Sequence, residues 1–353
     1  MSRRKRKATR TVRRPAKLPA RRRRNKITAA VDYFVGNKGL TFFSSGCVLL
    51  DMALGGGYAQ GRVINVVGDK STGKTLLAIE ACANFALTFP TGLIRYKEAE
   101  AAFDKGYAEV LGMPLDRVSF EEEFDTVEEL QKDIEAFAAK CKKKRAPGLY
   151  IVDSLDALSD KAEQERDMDK GTYNLAKPKL MSEMFRRDKR KWQKAKITLM
   201  IISQVRDKIN ATFGRKWTRS GGRALDFYAS QVLYLAEIKK MYKTVRTVKR
   251  AHGVVIRAKV TKNKVGIPFR EVDFSLIFGY GIDDVLASIE WLKSTKGLRL
   301  INLPASCRPV QEAKKVKALP RAKRLKRIEK IKAAVKQAWI EIEKDFLPTE
   351  RKY

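Results

Sequence analysis

The sequence has one histidine, His252, and four cysteines among 353 residues. Cys47, Cys82, Cys141 and Cys307 form no CxxC pair. This spacing fits neither a zinc site nor a disulfide framework and suggests a reducing compartment. His252 has no second ligand, so zinc chemistry is not expected. No run of about 18 apolar residues occurs, so no helix is expected to span a bilayer. The basic N-terminus lacks the apolar stretch of a secretory leader. Acidic residues are scarce too: 40 Asp and Glu face 75 Lys and Arg, a formal charge of +35. These shortages point to a cytoplasmic protein with a polyanionic partner. Hydrophobic residues make up 44% of the chain, which is enough for a packed core and excludes wholesale disorder.

The positive charge is uneven. Residues 1–26 hold 14 Lys and Arg and no acid. With no apolar periodicity, this segment reads as a disordered arm. Two roles fit it: binding polyanions through counterion release, or serving as a nuclear import signal or solubilising tail. Residues 27–41 read as a helix or linker at a protomer contact, 42–295 as the main core, and 296–353 as a basic C-terminal region. In that last region Leu325, Ile328, Ile331, Val335, Trp339, Ile342 and Phe346 recur at spacings of three and four. They predict an amphipathic helix with a basic opposite face. Its stripe could dock on the protein's own core, or on DNA or a partner.

The sharpest motif is Gly68-Asp69-Lys70-Ser71-Thr72-Gly73-Lys74-Thr75, a full G-x-x-x-x-G-K-[ST] match. Val63, Ile64, Val66 and Val67 before it read as a buried parallel strand. Leu76 to Phe85 after it is rich in Ala and Leu, and reads as a helix. Between strand and helix, free backbone N–H groups and the helix dipole meet phosphate. Lys74 would reach the β- and γ-phosphates of ATP, and the Thr75 hydroxyl would ligate Mg²⁺. Leu149 to Val152 form a second apolar run ending in Asp153, the carboxylate expected on the metal side. A third, Ile197 to Ile202, ends in Ser203-Gln204, placing an amide where it could sense the γ-phosphate. Val127, Leu130, Ile134, Phe137 and Cys141 share one helical face, so Cys141 reads as core. Alternating strands and helices predict an α/β fold with a mostly parallel sheet covered on both faces.

In order and spacing, these segments and several others resemble the bacterial and phage RecA-type recombinases, from about Phe43 to Trp291. Ser45-Gly46, Leu50 to Gly57 and Gly61-Arg62 are similar to the family's segment before the P-loop. Glu98 to Asp104 resembles its acidic motif, implying that Glu100 orients the attacking water and that Tyr107 stacks on adenine. Ser203 to Arg206 resembles the segment whose glutamine, here Gln204, couples γ-phosphate to DNA. Ser220 to Ser230 is the most specific piece and implies a protomer contact at Phe227. Lys262-Asn263-Lys264, followed by Pro268-Phe269, resembles the lysine pair that reaches the next subunit's ATP.

The resemblance implies a RecA-like P-loop ATPase core that binds ATP and Mg²⁺. It also implies a homo-oligomeric helical filament on single-stranded DNA, pairing with homologous duplex and open to single-strand-binding or loader proteins. It places Lys179, Ser182 and Arg186 as phosphate contacts in a first DNA loop. A second, Arg206 to Gly222, interleaves Lys208, Arg215, Lys216 and Arg219 with Ile209, Phe213 and Trp217 before Gly221-Gly222. Cations among aromatics suit single strands, whose bases stack on rings; ordinary core packing is the other reading of those aromatics. Three departures stand out. Asp69-Lys70 replaces the family's usual Pro-Glu, Asp226 stands where a lysine is usual, and the C-terminal region is basic rather than acidic. A hexameric RecA-fold motor and a non-catalytic DNA-binding accessory protein are the competing functions. The Gly221-Gly222 segment and the lysine pair favour the recombinase over the motor, and intact Lys74, Thr75, Glu100 and Asp153 disfavour the accessory role.

Overall fold

The computed structural model describes residues 39–100, 103–123, 125–160, 176–207, 217–219 and 222–347. The basic arm and residues 27–38 lie outside them. In chain order the elements are β1 (Phe42–Phe43), α1 (Val48–Leu54), β2 (Tyr58–Ala59), β3 (Val63–Gly68), α2 (Lys74–Thr88), β4 (Leu93–Glu98) and α3 (Lys105–Val110). Then follow β5 (Val118–Glu121), α4 (Val127–Lys144), β6 (Gly148–Asp153), α5 (Ala176–Lys194), β7 (Ile197–Asp207), β8 (Trp217–Arg219) and α6 (Gly222–Tyr228). The chain continues through β9 (Gln231–Val245), β10 (Val248–Asn263), β11 (Glu271–Ile277), β12 (Gly281–Ile282), α7 (Asp284–Ser294), α8 (Pro309–Ala318) and α9 (Arg321–Asp345).

A ten-stranded sheet runs β12-β11-β10-β9-β3-β7-β6-β4-β5, with β8 paired to β7. The six strands from β9 to β5 are parallel. Their apolar runs are continuous because both faces are covered, and alternate residues feed two cores. Ile64, Val66, Leu149, Ile151, Met200 and Ile202 join the cluster that includes α1, α2, α7 and α9. Val63, Val67, Tyr150, Val152, Leu199 and Ile201 join the one under α4 and α5. The expected α/β fold with its mostly parallel sheet is the observed one.

Helix α4 starts at a capping box: Thr126 accepts from the Glu129 N–H at 3.3 Å and donates to the Glu129 carboxylate at 2.5 Å. Its stripe Val127, Leu130, Ile134, Phe137 and Cys141 is buried, so Cys141 is core. All four cysteines are buried and unpaired. Among the described residues, no helix is long and apolar enough to cross a membrane.

Two features differ from the sequence reading. The third strand does not end at Ser203-Gln204, which pair with β3; β7 continues to Asp207 because β8 supplies an antiparallel partner, pairing Val205 with Arg219. The sheet also turns antiparallel beyond β9, since a two-residue link, Arg246-Thr247, can join β9 and β10 in no other way.

The C-terminal stripe docks on the protein's own core. Ile331, Ala334, Val335, Ala338 and Trp339 of α9 are buried in the cluster shared with the sheet. Trp339 stacks on Trp291 of α7, centroids 5.6 Å apart, and Glu343 takes a two-pronged contact from Arg270 at 2.5 and 2.6 Å. Leu325 and Phe346, at the ends of the stripe, are exposed. Leu298, Ile301, Ala313 and Val316, earlier in this region, are buried in the same cluster.

Candidate nucleotide site and its neighbours

The phosphate loop follows β3 directly and ends where α2 begins. Gly73 is left-handed at φ 82°, and a Cβ there would lie 2.3 Å from Leu276 Cδ1. A Cβ on Gly68 would meet Thr72 Oγ1 at 2.5 Å and the Leu235 carbonyl at 2.9 Å. Both positions therefore require glycine. Lys74 is buried, and its ammonium donates to the Asp69 carbonyl at 2.6 Å. Burial pulls its pKa down, while Asp153, Glu100, Asp69 and Asp156 oppose the shift.

Asp153 ends β6 beside the loop. Burial raises its pKa, against hydrogen bonds from Tyr96 and Thr75; the Tyr96 hydroxyl donates to it at 2.7 Å. Thr75 and Asp153 thus bring a hydroxyl and a carboxylate together. These hard oxygens suit Mg²⁺, which takes one or two protein ligands plus phosphates rather than an all-protein cage. Among the described residues, no group of three or more His, Cys, Asp or Glu could form such a cage.

Register then assembles a polar relay at the carboxyl ends of the strands. Glu98 of β4 pairs with Asp153 of β6, is buried, and accepts the Glu100 N–H at 2.8 Å. The Glu100 carboxylate accepts from the Ser154 hydroxyl at 2.5 Å and the Gln204 amide at 2.7 Å. The Gln204 backbone N–H donates to Asp156 at 2.7 Å. Glu100 and Gln204, chosen from sequence, therefore touch. Tyr96, Ser154 and Asp156 were missed, and Glu98 was read only as the first residue of the acidic motif, with no role of its own; strand alternation, placing Tyr96 two residues before Glu98, hinted at Tyr96.

Across the loop lies a cleft of about 580 Å³, lined by Ser71, Gly73, Lys74, Thr75, Leu76 and Tyr107 on one side. Its other wall is Glu237, Lys240, Ala251, Val254, Leu276 and Phe278, which sequence reasoning did not find. The volume suits a small-molecule ligand. Tyr107 is exposed, and its hydroxyl accepts the Gly279 N–H at 3.2 Å. Asp69 and Lys70 are exposed on the outer side of the loop.

Lys262 and Lys264 lie elsewhere. Gly68 pairs with Leu235, whereas Gln231, four residues earlier on β9, pairs with Ile64 and Asn263. At about 3.3 Å per residue the lysines are some 13 Å or more along the sheet from the P-loop of their own chain. There the Lys262 ammonium donates to the Asp226 carbonyl and, at 2.8 Å, to that of Phe227. Lys264 lies 5.8 Å from the Phe227 ring centroid, and Lys189 donates to the Tyr228 carbonyl at 2.6 Å. All three lysines cap the C-terminus of α6, where cations are favoured. Burial first, then repulsion from Lys264 and Lys189, pushes Lys262 down to about 8. Phe227 itself is 69% exposed.

On α5, Lys179 and Arg186 are exposed and Ser182 is half-buried, opposite the buried Met181, Met184, Phe185 and Trp192. Arg206 lies on β7, Trp217 and Arg219 lie on β8, which pairs antiparallel with it, and Gly222 opens α6. Lys208, Ile209, Phe213, Arg215, Lys216 and Gly221 lie outside the described residues.

The family model of the RecA N-terminal domain matches residues 34–283. The chain is 35% identical to Protein RecA of Nostoc punctiforme over 252 residues, 71% of this chain and 67% of that one. It is 37% identical to Protein RecA of Porphyromonas gingivalis over 239 residues, 67% of each chain. Against Protein RecA of Gloeobacter violaceus it is 36% identical over 241 residues, 68% of this chain and 62% of that one. The family match ends at residue 283, just before α7.

Proposed function

The chain belongs to the RecA N-terminal domain family, and from that membership we propose an ATP-dependent recombinase that assembles on single-stranded DNA and pairs it with homologous duplex. The observation that carries this reading is the Gln204–Glu100 hydrogen bond at 2.7 Å. Glu100 is the carboxylate proposed to orient the water that attacks the γ-phosphate. Gln204 lies on β7, which runs on into the segment proposed to hold DNA. DNA held by that segment pulls on the partner of the general base, so DNA binding and hydrolysis share one hydrogen bond.

The remaining roles follow from position. The Gly68–Thr75 backbone and Lys74 hold the β- and γ-phosphates. Thr75 and Asp153 would hold Mg²⁺, which when bound neutralises phosphate charge. Tyr107 presents its ring to adenine across the cleft. Lys262 and Lys264, remote from their own P-loop, are proposed to complete the site of a neighbouring protomer by stabilising charge on the transferring phosphoryl group. Lys179, Ser182, Arg186 and the β7–β8 region are proposed to hold the strand.

The test compares ATP turnover with and without single-stranded DNA. The parent protein is expected to be stimulated, whereas Gln204→Ala binds ATP and loses most of the stimulation. Equal stimulation of both proteins would break the proposed coupling. Negative-stain images with DNA and a non-hydrolysable ATP analogue should show helical filaments; closed rings would favour a hexameric motor.

A further inference from the structure

Helix α5 carries a stripe that runs past the proposed DNA contacts. Lys179, Ser182, Arg186, Lys189 and Gln193 recur at spacings of three, four, three and four, so they line one side of the helix. Lys179 to Lys189 covers about 15 Å at roughly 1.5 Å per residue. The far end of the stripe lies beside the start of β3, for a Cβ on Gly61 would lie 3.5 Å from the Gln193 carbonyl. Arg62 follows at once, at the opposite end of β3 from the P-loop.

Three ammonium groups meet there on three consecutive carbonyls. Lys262 donates to Asp226 and Phe227, Lys264 to Phe227 at 3.5 Å, and Lys189 to Tyr228 at 2.6 Å. A helix C-terminus presents only about half an elementary negative charge, so the end of α6 satisfies one cation at most. The charges that bear on Lys189, those of Lys264 and Arg62, are positive too, and they join burial in lowering its pKa. The adjacent acid on α5, Asp188, is buried and already accepts from Gln131 and Lys191, each at 2.7 Å. Even with the Asp226 carboxylate counted, Arg62, Lys189, Lys262 and Lys264 form a strongly positive group. A polyanion relieves such repulsion, and further protein carbonyls do not.

We propose that Lys189 is a third cation holding the triphosphate of a neighbouring protomer's ATP, alongside Lys262 and Lys264. The inference rests on the recombinase reading and deepens it. Lys189 cannot serve its own P-loop. It is tied to the Tyr228 carbonyl, and two residues on the Ser230 N–H donates to the Val63 carbonyl at 2.7 Å, at the start of β3, whereas the P-loop follows the end of that strand. It differs from the lysine pair in standing on the helix proposed to hold DNA. One stripe therefore meets DNA at Arg186 and the neighbour's phosphates one turn later. An ammonium there binds phosphate as a point charge. A contact to the standing charge of the bound triphosphate lowers KM rather than raising kcat.

The experiment measures ATP hydrolysis by the full chain, stimulated by single-stranded DNA, at several ATP concentrations. Lys189→Gln should raise the KM for ATP on the order of tenfold, the usual worth of one charge-assisted hydrogen bond, and lower kcat much less. Lys189→Arg should keep KM near the parental value, since the charge is retained; loss of a helix cap alone would change unfolding and leave KM as it was. Mixing Lys189→Gln with Glu100→Gln then assigns the protomer. Where the intact Glu100 of one chain faces the intact Lys189 of the next, turnover should return with the parental KM. An unchanged KM in Lys189→Gln overturns the inference. So does a mixture that shows only the raised KM, because Lys189 then acts within its own chain. Either result with a parent stimulated by single strands leaves the recombinase reading standing; a parent without that stimulation overturns the reading and the inference with it.

Discussion

Lys262 lies among two other lysines and the carbonyls of α6, and that setting makes its proton unusually loose. Its pKa is pushed down to about 8, chiefly by burial, from the ordinary lysine value of about 10.4. The sign follows from linkage. Folding disfavours the charged form, so the penalty is full below about pH 8 and fades as pH rises toward 10.4; through this group, stability rises across that window. Over the same window the amine becomes a free nucleophile. Acylation of the unassembled protein near pH 8, read by mass spectrometry, should label Lys262 ahead of the exposed lysines. Labelling no faster than theirs would show that the ammonium is not destabilised. Glu100→Gln tests a second residue: ATP binding should persist while turnover falls by about 10²- to 10⁴-fold, the usual worth of a general base. Parental turnover in that variant would move the base elsewhere. Lys74, Thr75, Asp153, Glu100 and Gln204 were legible because each stands in a short motif or closes an apolar run. Tyr96 and Ser154 were not, since they meet the site across 57 and 54 residues of chain, a separation that only strand register closes.

At the scale of elements, α9 separates what a periodic pattern reveals from what it hides. Its apolar stripe was readable from spacing alone, but the surface it would meet was not, because docking depends on where α7 and α1 bring their own side chains. Two positions on that stripe should behave in opposite ways. Trp339 is buried against Trp291, so Trp339→Ala should lower unfolding free energy by about 3 kcal/mol or more. Leu325, at the outer end of the same stripe, is 53% exposed, and Leu325→Ala should stay within about 0.5 kcal/mol. Denaturant unfolding of both variants settles the comparison; equal losses would mean that the helix is seated differently. The extension of β7 carries the same lesson. Ser203 and Gln204 read as the end of a strand in sequence; β3 pairs both, at Val67 and Gly68, and the strand runs on through Val205 to Asp207 only because β8, ten or more residues later, offers its backbone.

For the whole molecule, the decisive geometry is that a P-loop and a lysine pair occupy opposite ends of the same strand rows. If each site needs both, one protomer cannot supply them to itself. Repeating the contact joins unlike surfaces head to tail, the kind of interface that yields helical filaments or closed rings. A mixing experiment tests this directly. Lys262→Gln with Lys264→Gln removes the charges while leaving amides that can still donate to the α6 carbonyls, so the local cap is spared. That variant and Glu100→Gln should each be nearly inactive alone. In an equal mixture, an interface works only where an intact Glu100 faces an intact lysine pair. With random assembly that arrangement arises at on the order of a quarter of the interfaces, given one polarity of joining. DNA-stimulated hydrolysis should therefore return to about that fraction of the parental rate and decline as either variant dominates. Microscopy should confirm that the two variants enter the same polymers. Mixed polymers without any recovered turnover would mean that the lysines cap α6 and serve no neighbour.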